Sequence, residues 1–221
     1  MYGVIFDVDG VLVDSYAAHF QSWRQVAAEQ GYDLSEHDFR RTFGRTSREI
    51  IAELWGRHAL EPAEIAELDR RKEAAYRAIL GRHVPIMDGA VELIDSLAGA
   101  GFALAVGSSG PPENVELVLD ALGRRVAFRG VVTGQEVSRG KPDPQVFLLA
   151  AKKIDVPADH CAVVEDAAAG IAAAQAAEMT AIGLISTGHD GASLAAADCR
   201  VISLRELDPQ RIARLITGTS C

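Results

Sequence analysis

The sequence predicts an α/β protein: a Rossmann-like three-layer core with helices on both faces of a parallel sheet, interrupted near its start by an all-helical insertion. Three observations carry the prediction. From residue 88 onward short apolar runs alternate with helical patterns, a spacing that means right-handed crossovers and parallel strands. A lone strand-like run at residues 3 to 8 is separated from that region by residues 15 to 80, which are charge-rich, helical in periodicity and without a strand. A chain of 221 residues, 48% apolar and 24% charged, can bury one sizeable core and carry a smaller satellite. The expected division is residues 1–14 with 81–221 for the core and 15–80 for the insertion.

The elements follow in order. The apolar run that opens "GVIFDVDG" suits a buried strand ended by Gly10. Tyr16, Phe20, Trp23 and Val26 with Ala27 then recur at helical spacing until the polar "EQGYDLS". Further helices are expected over "SEHDFRRTF", over "SREIIAELWG" and, after Pro62, over "AEIAELDRRKEAAYRAIL". In the alternating region "AVELIDSLAGAG" places Ala90, Leu93, Ile94 and Leu97 on one helical face, and "FALAVGSS" follows as a strand running into small polar residues. Next come the helix "PENVELVLDALG", with proline at its start and glycine at its end, and the strand "GVVTG". The helix around "PQVFLLAAKKI", the strand "CAVVED", the alanine-rich helix "AGIAAAQAAEM", the strand "TAIGLIS" and a last strand near "CRVIS" complete the pattern.

Composition narrows the function. A formal net charge of −9 leaves no electrostatic footprint for nucleic acid or an anionic membrane, so a negatively charged ligand must be held by local cations and backbone amides. That favours a small substrate. No apolar run approaches membrane-spanning length, and the chain enters its first strand without a leader pattern, which sets a cytoplasmic expectation. Cys161, Cys199 and Cys221 are scattered and read as small buried residues or an incidental thiol, without a disulfide framework or zinc site. With no heptad or apolar surface stripe, a monomer is expected.

Open parallel sheets bind ligands at the carboxyl ends of their strands. Asp7 and Asp9 stand there after the first strand, Ser108 and Ser109 after "FALAVG", Lys141 in "SRGKPDP", and Glu165 with Asp166 at the end of "CAVVED". Each has a plain reading on its own: carboxylates pointing into water, a strand-end turn, a proline-rich loop, an acidic helix start. Together they make hard oxygen ligands of the kind Mg²⁺ prefers when shared with a phosphate, a lysine on the same edge, and hydroxyl donors. Such a set fits a transferring phosphoryl group, with one carboxylate as nucleophile and its neighbour as acid and base.

With "FDVDG", "VGSSG", "GKPDP" and "VVEDAAAG" in that order on an alternating core with an early helical insertion, the chain resembles the haloacid dehalogenase superfamily of phosphatases and phosphotransferases. The likeness spans essentially the whole chain. The insertion resembles that of the β-phosphoglucomutase-like branch, where a small helical cap closes over the site. The resemblance implies that Asp7 is a nucleophile converted to an aspartyl-phosphate and a metal ligand. It implies that Asp9 is the general acid and base and gives its main-chain carbonyl to the metal. Ser108 would hydrogen-bond a phosphoryl oxygen, Lys141 neutralise charge, Asp166 bind Mg²⁺ directly, and Glu165 bind it directly or through water. His19, Arg48 and Lys72 match positions that bind substrate in β-phosphoglucomutases, and Ser109 joins the phosphate-binding turn. His19 also reads as a structural histidine beside the apolar stripe, and Arg48 and Lys72 as solvated helix faces.

Departures from the mutase pattern are visible. Ser108 is followed by Ser109, Gly110, Pro111 and Pro112, where the mutase pattern goes on with polar residues that help grip phosphate, and Ala167 stands where the family often has serine. The implied function is therefore a Mg²⁺-dependent phosphatase of a small phosphorylated metabolite, a sugar phosphate. The alternatives are a sugar phosphomutase and a non-catalytic phosphosugar-binding regulator. The intact Asp7/Asp9 pair speaks against the regulator, and against dehalogenation, because dehalogenases of this superfamily lack the second aspartate.

Overall fold

The computed structural model describes residues 1–42, 50, 51, 53, 61–188 and 191–218. The chain forms two units, Ser15–Pro85 and Met1–Asp14 with Ile86–Cys221.

In the first of these, α1 (Tyr16–Glu29), α2 (Glu36–Thr42) and α3 (Pro62–Leu80) are helices. The stripe read from the sequence is the buried one. Tyr16, Trp23, Val26 and Ala27 of α1 pack with Leu34, Phe39, Ile50, Ile51 and Leu68, while Phe20 is partly buried against the same cluster. The rings of Tyr16 and Phe39 lie 5.4 Å apart and those of Phe20 and Phe39 5.5 Å apart, distances at which tilted aromatic pairs attract beyond simple burial. Pro62 opens α3, where the Glu64 carboxylate accepts the Glu61 backbone N–H at 2.8 Å. Both devices satisfy or remove amides that a helix start leaves unpaired. Arg48 and most of the helix expected over "SREIIAELWG" lie outside the described residues.

The larger unit is built on β1 (Gly3–Phe6), β2 (Ala103–Gly107), β3 (Phe128–Val132), β4 (Cys161–Glu165), β5 (Thr180–Leu184) and β6 (Cys199–Val201). Their order is β3-β2-β1-β4-β5-β6 and each adjacent pair is parallel. Every residue of β1, β2 and β4 is buried, whereas the edge strand β3 exposes Arg129. That is the burial expected of central strands covered on both faces. The helices are α4 (Ala90–Gly99), α5 (Pro112–Leu122), α6 (Gln145–Lys153), α7 (Ala168–Ala176) and α8 (Pro209–Ile216). α6 lies on β1, β2 and β3 and α7 on β4 and β5, while α4 contacts β2 and α8 contacts β4. α4 buries Ala90, Leu93, Ile94 and Leu97, the face expected from their spacing.

The sheet is wound outward in two directions from β1. The chain moves from β1 to β2 on one side and later returns at β4 on the other, so a crevice opens beyond the carboxyl end of β1. One feature departs from expectation. The helix α8 was not read from the sequence, although Asp208 caps it by accepting the Arg211 N–H at 2.7 Å and Pro209 opens it. Cys161 is a buried free thiol, the small buried residue expected of it, and Cys199 is buried in β6.

Candidate active site

Asp7 follows β1 directly, and its backbone N–H still donates to Val164 O of β4 at 3.0 Å. The carboxylate is therefore carried on a buried central strand, itself 8% exposed. The chain then turns sharply: Gly10 has φ +73° and donates to Val13 O at 2.8 Å, while Leu12 donates to Val8 O at 2.9 Å. Only glycine enters that left-handed region at low cost. Space demands it as well, since a Cβ on Gly10 would fall 1.7 Å from Asp166 Oδ2.

Glu165 ends β4 and Asp166 follows it, one strand away from Asp7. Ligand oxygens of Asp7, Glu165 and Asp166 lie within 4.8 Å of one another, and all three residues are buried. Lys141, in the loop between β3 and α6, donates to Asp7 Oδ1 at 2.7 Å and to Glu165 Oε1 at 2.6 Å. Its ammonium also lies 4.8 Å from the centre of the Phe147 ring, a favourable cation–π distance. Glu165 Oε2 accepts the Ala167 N–H at 2.8 Å, and Ser186 Oγ donates to Asp166 Oδ2 at 2.7 Å. The glutamate fits because α7 carries Gly170 beneath it: a Cβ there would fall 1.9 Å from Glu165 Oε1.

Three carboxylates against one ammonium leave a surplus of negative charge in a buried place. Burial pushes the Asp7 carboxyl up to about 7, with Lys141 opposing the rise and Glu165 and Asp9 adding to it. Asp166 is raised well above the carboxylate range, first by burial and then by Glu165 and Asp7. Burial would lower Lys141, but Asp7 and Glu165 outweigh it and hold its pKa above the ordinary lysine value. Such a cluster must either keep a proton or take up a cation. All its donors are hard carboxylate oxygens, and the glycine beside Asp166 keeps side-chain atoms away. The residues could hold a divalent cation of the Mg²⁺ type.

The other expected residues divide. Asp9 is half-buried, and among the described residues its carboxylate is not one of the three clustered ligands. It lies instead toward the second strand end: a Cβ on Gly110 would be 3.8 Å from Asp9 Oδ2 and 3.3 Å from Ser108 Oγ. Ser108 is buried after β2, and its Oγ accepts the Gly110 N–H at 3.0 Å, which leaves the hydroxyl proton to donate. Ser109 is exposed. His19 and Lys72, 53 positions apart, meet within the helical unit: Lys72 Nζ is 3.0 Å from His19 Nδ1 and 2.6 Å from Glu73 Oε1. His19 stacks on Tyr76 at 4.3 Å, and Lys72 is 4% exposed, its ammonium 5.7 Å from the Trp23 ring and 5.3 Å from that of Tyr76. The reading of Lys72 as a solvated face is therefore corrected. An ammonium has no acceptor, so in this contact His19 Nδ1 accepts. Arg48 lies outside the described residues.

Ser186 was not singled out from the sequence, although it ends the strand "TAIGLIS" and the same rule of strand carboxyl ends would have found it.

A family model described as haloacid dehalogenase-like hydrolase matches residues 1–178. The chain belongs to the haloacid dehalogenase-like hydrolase family. Within it, the chain is similar to validoxylamine A 7'-phosphate phosphatase of Streptomyces hygroscopicus subsp. limoneus, with 33% identity over 214 residues, 94% of this chain and 96% of that protein. It is 31% identical over 190 residues to β-phosphoglucomutase of Bacillus subtilis, covering 83% of each. The crystal structure of a family IA, variant 3 hydrolase of this superfamily from Entamoeba histolytica superposes with TM-score 0.90 at 26% identity, over 99% of this chain and 100% of that one. The resemblance read from the ordered motifs thus stands for this haloacid dehalogenase-like hydrolase, including its β-phosphoglucomutase-like branch. Among its described residues no helix is long and apolar enough to cross a membrane.

Proposed function

We propose that the chain is a Mg²⁺-dependent phosphatase of a small phosphorylated metabolite, a sugar phosphate, working through an aspartyl-phosphate on Asp7. The observation that carries this reading is the buried trio of Asp7, Glu165 and Asp166 bridged by Lys141 at 2.7 and 2.6 Å. The similarity to a phosphatase that acts on a 7'-phosphate supports it.

An Asp7 oxygen attacks phosphorus as the bond from phosphorus to the leaving oxygen breaks, and Asp9 gives that oxygen its proton. In the second half Asp9 takes a proton from water, the hydroxyl oxygen bonds to phosphorus, and the Asp7–phosphorus bond breaks to release phosphate. Lys141 offsets charge on Asp7 and the transferring group, and the Ser108 hydroxyl donates to a phosphoryl oxygen. Asp7 and Asp166, with Glu165, would hold Mg²⁺, which when bound supplies positive charge opposite the phosphoryl oxygens.

A phosphomutase reading is favoured by the joined pair of His19 and Lys72, whose positions resemble the substrate-binding ones of β-phosphoglucomutases. The assay that separates the two uses Mg²⁺ and a panel of phosphorylated metabolites, including β-glucose 1-phosphate primed with a bisphosphate. Free phosphate without isomerised sugar phosphate is the expected outcome. Isomerisation would replace the phosphatase with the mutase, and full activity of Asp7→Asn would end both.

A further inference from the structure

We propose that Ser186 is a positioning residue for the cation site: its hydroxyl holds one oxygen of Asp166 and thereby presents the other to Mg²⁺. The proposal rests on the reading of the trio as a Mg²⁺ site.

The donors around the three carboxylates are divided. Lys141 serves Asp7 and Glu165, and the Ala167 amide serves the second oxygen of Glu165. Asp166 is 4% exposed, so an unsatisfied oxygen there would be costly. Ser186 Oγ meets Oδ2 at 2.7 Å, the length of a charge-assisted O–H···O bond. The arrangement is closely built, because a Cβ on Gly10 would fall 1.7 Å from that same Oδ2 and 3.0 Å from Ser186 Oγ. The Gly10 turn and the serine therefore enclose one edge of the carboxylate.

The segment carrying Ser186 is fixed on both sides of it. Ile185 continues the sheet by donating its N–H to Val201 O at 2.9 Å, and the Thr187 hydroxyl donates to Asp14 Oδ2 at 2.9 Å. A donor held in this way orients its acceptor without having to be ordered when the cation arrives. Its neutrality matters too. A lysine in this place would compete with the cation for Asp166, whereas a hydroxyl stabilises the carboxylate and leaves the local charge surplus intact.

The test is calorimetric titration of Mg²⁺ into the wild-type protein, Ser186→Ala and Ser186→Thr, with circular dichroism to confirm the fold and phosphate release measured against Mg²⁺ concentration. Outer-shell partners of metal ligands commonly contribute about 10- to 100-fold in affinity. Ser186→Ala is expected to weaken Mg²⁺ binding by about that factor, with the loss of phosphate release largely recovered at saturating Mg²⁺, and Ser186→Thr is expected to restore binding. An alanine variant that binds Mg²⁺ within about twofold of wild type would overturn the role of Ser186 and leave the phosphatase reading standing. Mg²⁺ binding that depends on Ser186 in a protein releasing no phosphate from any substrate would overturn the phosphatase and support Ser186. A wild-type protein that binds no Mg²⁺ would overturn both.

Discussion

Two buried lysines of this chain sit in opposite electrostatic situations. Lys141 of the α/β unit faces a cluster of three carboxylates, Asp7, Glu165 and Asp166, while Lys72 of the helical unit has Glu73 at 2.6 Å and His19 Nδ1 at 3.0 Å and lies near two aromatic rings. The first cluster is over-supplied with negative charge; in the second, among the described residues, the Glu73 carboxylate lies against the Lys72 ammonium. A buried ion pair needs good geometry merely to offset its desolvation. A buried surplus goes further, and is stable only when protons or a cation fill it. The cluster around Lys141 is thus suited to bind and release charge, and that around Lys72 to hold a side chain still.

The contrast can be broken by mutation. Asp7→Asn should lower phosphate release by roughly 10³-fold or more, yet in metal-free protein it should raise stability by about 1 kcal/mol, because it removes part of the surplus. A differential scan in EDTA checks the second half, and a lowered melting temperature would mean that the surplus is already compensated. Gly10→Ala places a methyl group against Asp166 and strains a φ of +73°, so Mg²⁺ affinity should fall by about 10-fold or more. Glu73→Gln acts in the other sense. It leaves Lys72 without its nearest carboxylate and should destabilise by about 2 kcal/mol by chemical denaturation; a stabilised variant would put the surplus in the helical unit instead.

A further effect is in pH. Asp7 is raised from 3.8 to about 7 in the fold, so between those values the folded chain keeps a proton that the unfolded chain has released. Stability of the metal-free protein should therefore be present at the acid end of that window and decline as pH rises through it. Mg²⁺ needs the carboxylates deprotonated, so its stabilising shift in melting temperature should be larger at pH 8 than at pH 5. An equal shift at both values would separate Asp7 from the cation site.

Much of this was legible because strand ends are readable. Asp7, Ser108, Glu165 and Asp166 each follow an apolar run short enough to be a buried strand, and the alternation says that such ends share one edge. The helical stripe from Tyr16 to Ala27 was legible for a similar reason, since burial follows a period of 3.6. α8 was missed although Asp208 and Pro209 form a start signal, because the helix is only eight residues long and its periodicity is brief. The meeting of His19 with Lys72 was not legible, since it depends on α1 packing along α3 across 53 positions of sequence.

Local chemistry is written in single residues: which carboxylates, which lysine, which glycine, and at which strand end. Whether those residues make a site is a matter of distances between strands that are remote in sequence. The order β2-β1-β4 puts Asp7 beside Glu165 and Asp166, and β5 next to β4 brings Ser186 to Asp166. Hydrophobic periodicity fixes what a segment becomes, because it is a property of neighbours along the chain. Charge interactions and hydrogen bonds act over a few ångströms in space, so the surplus at Lys141 and the pairing at Lys72 came into being only when the sheet and the helices closed.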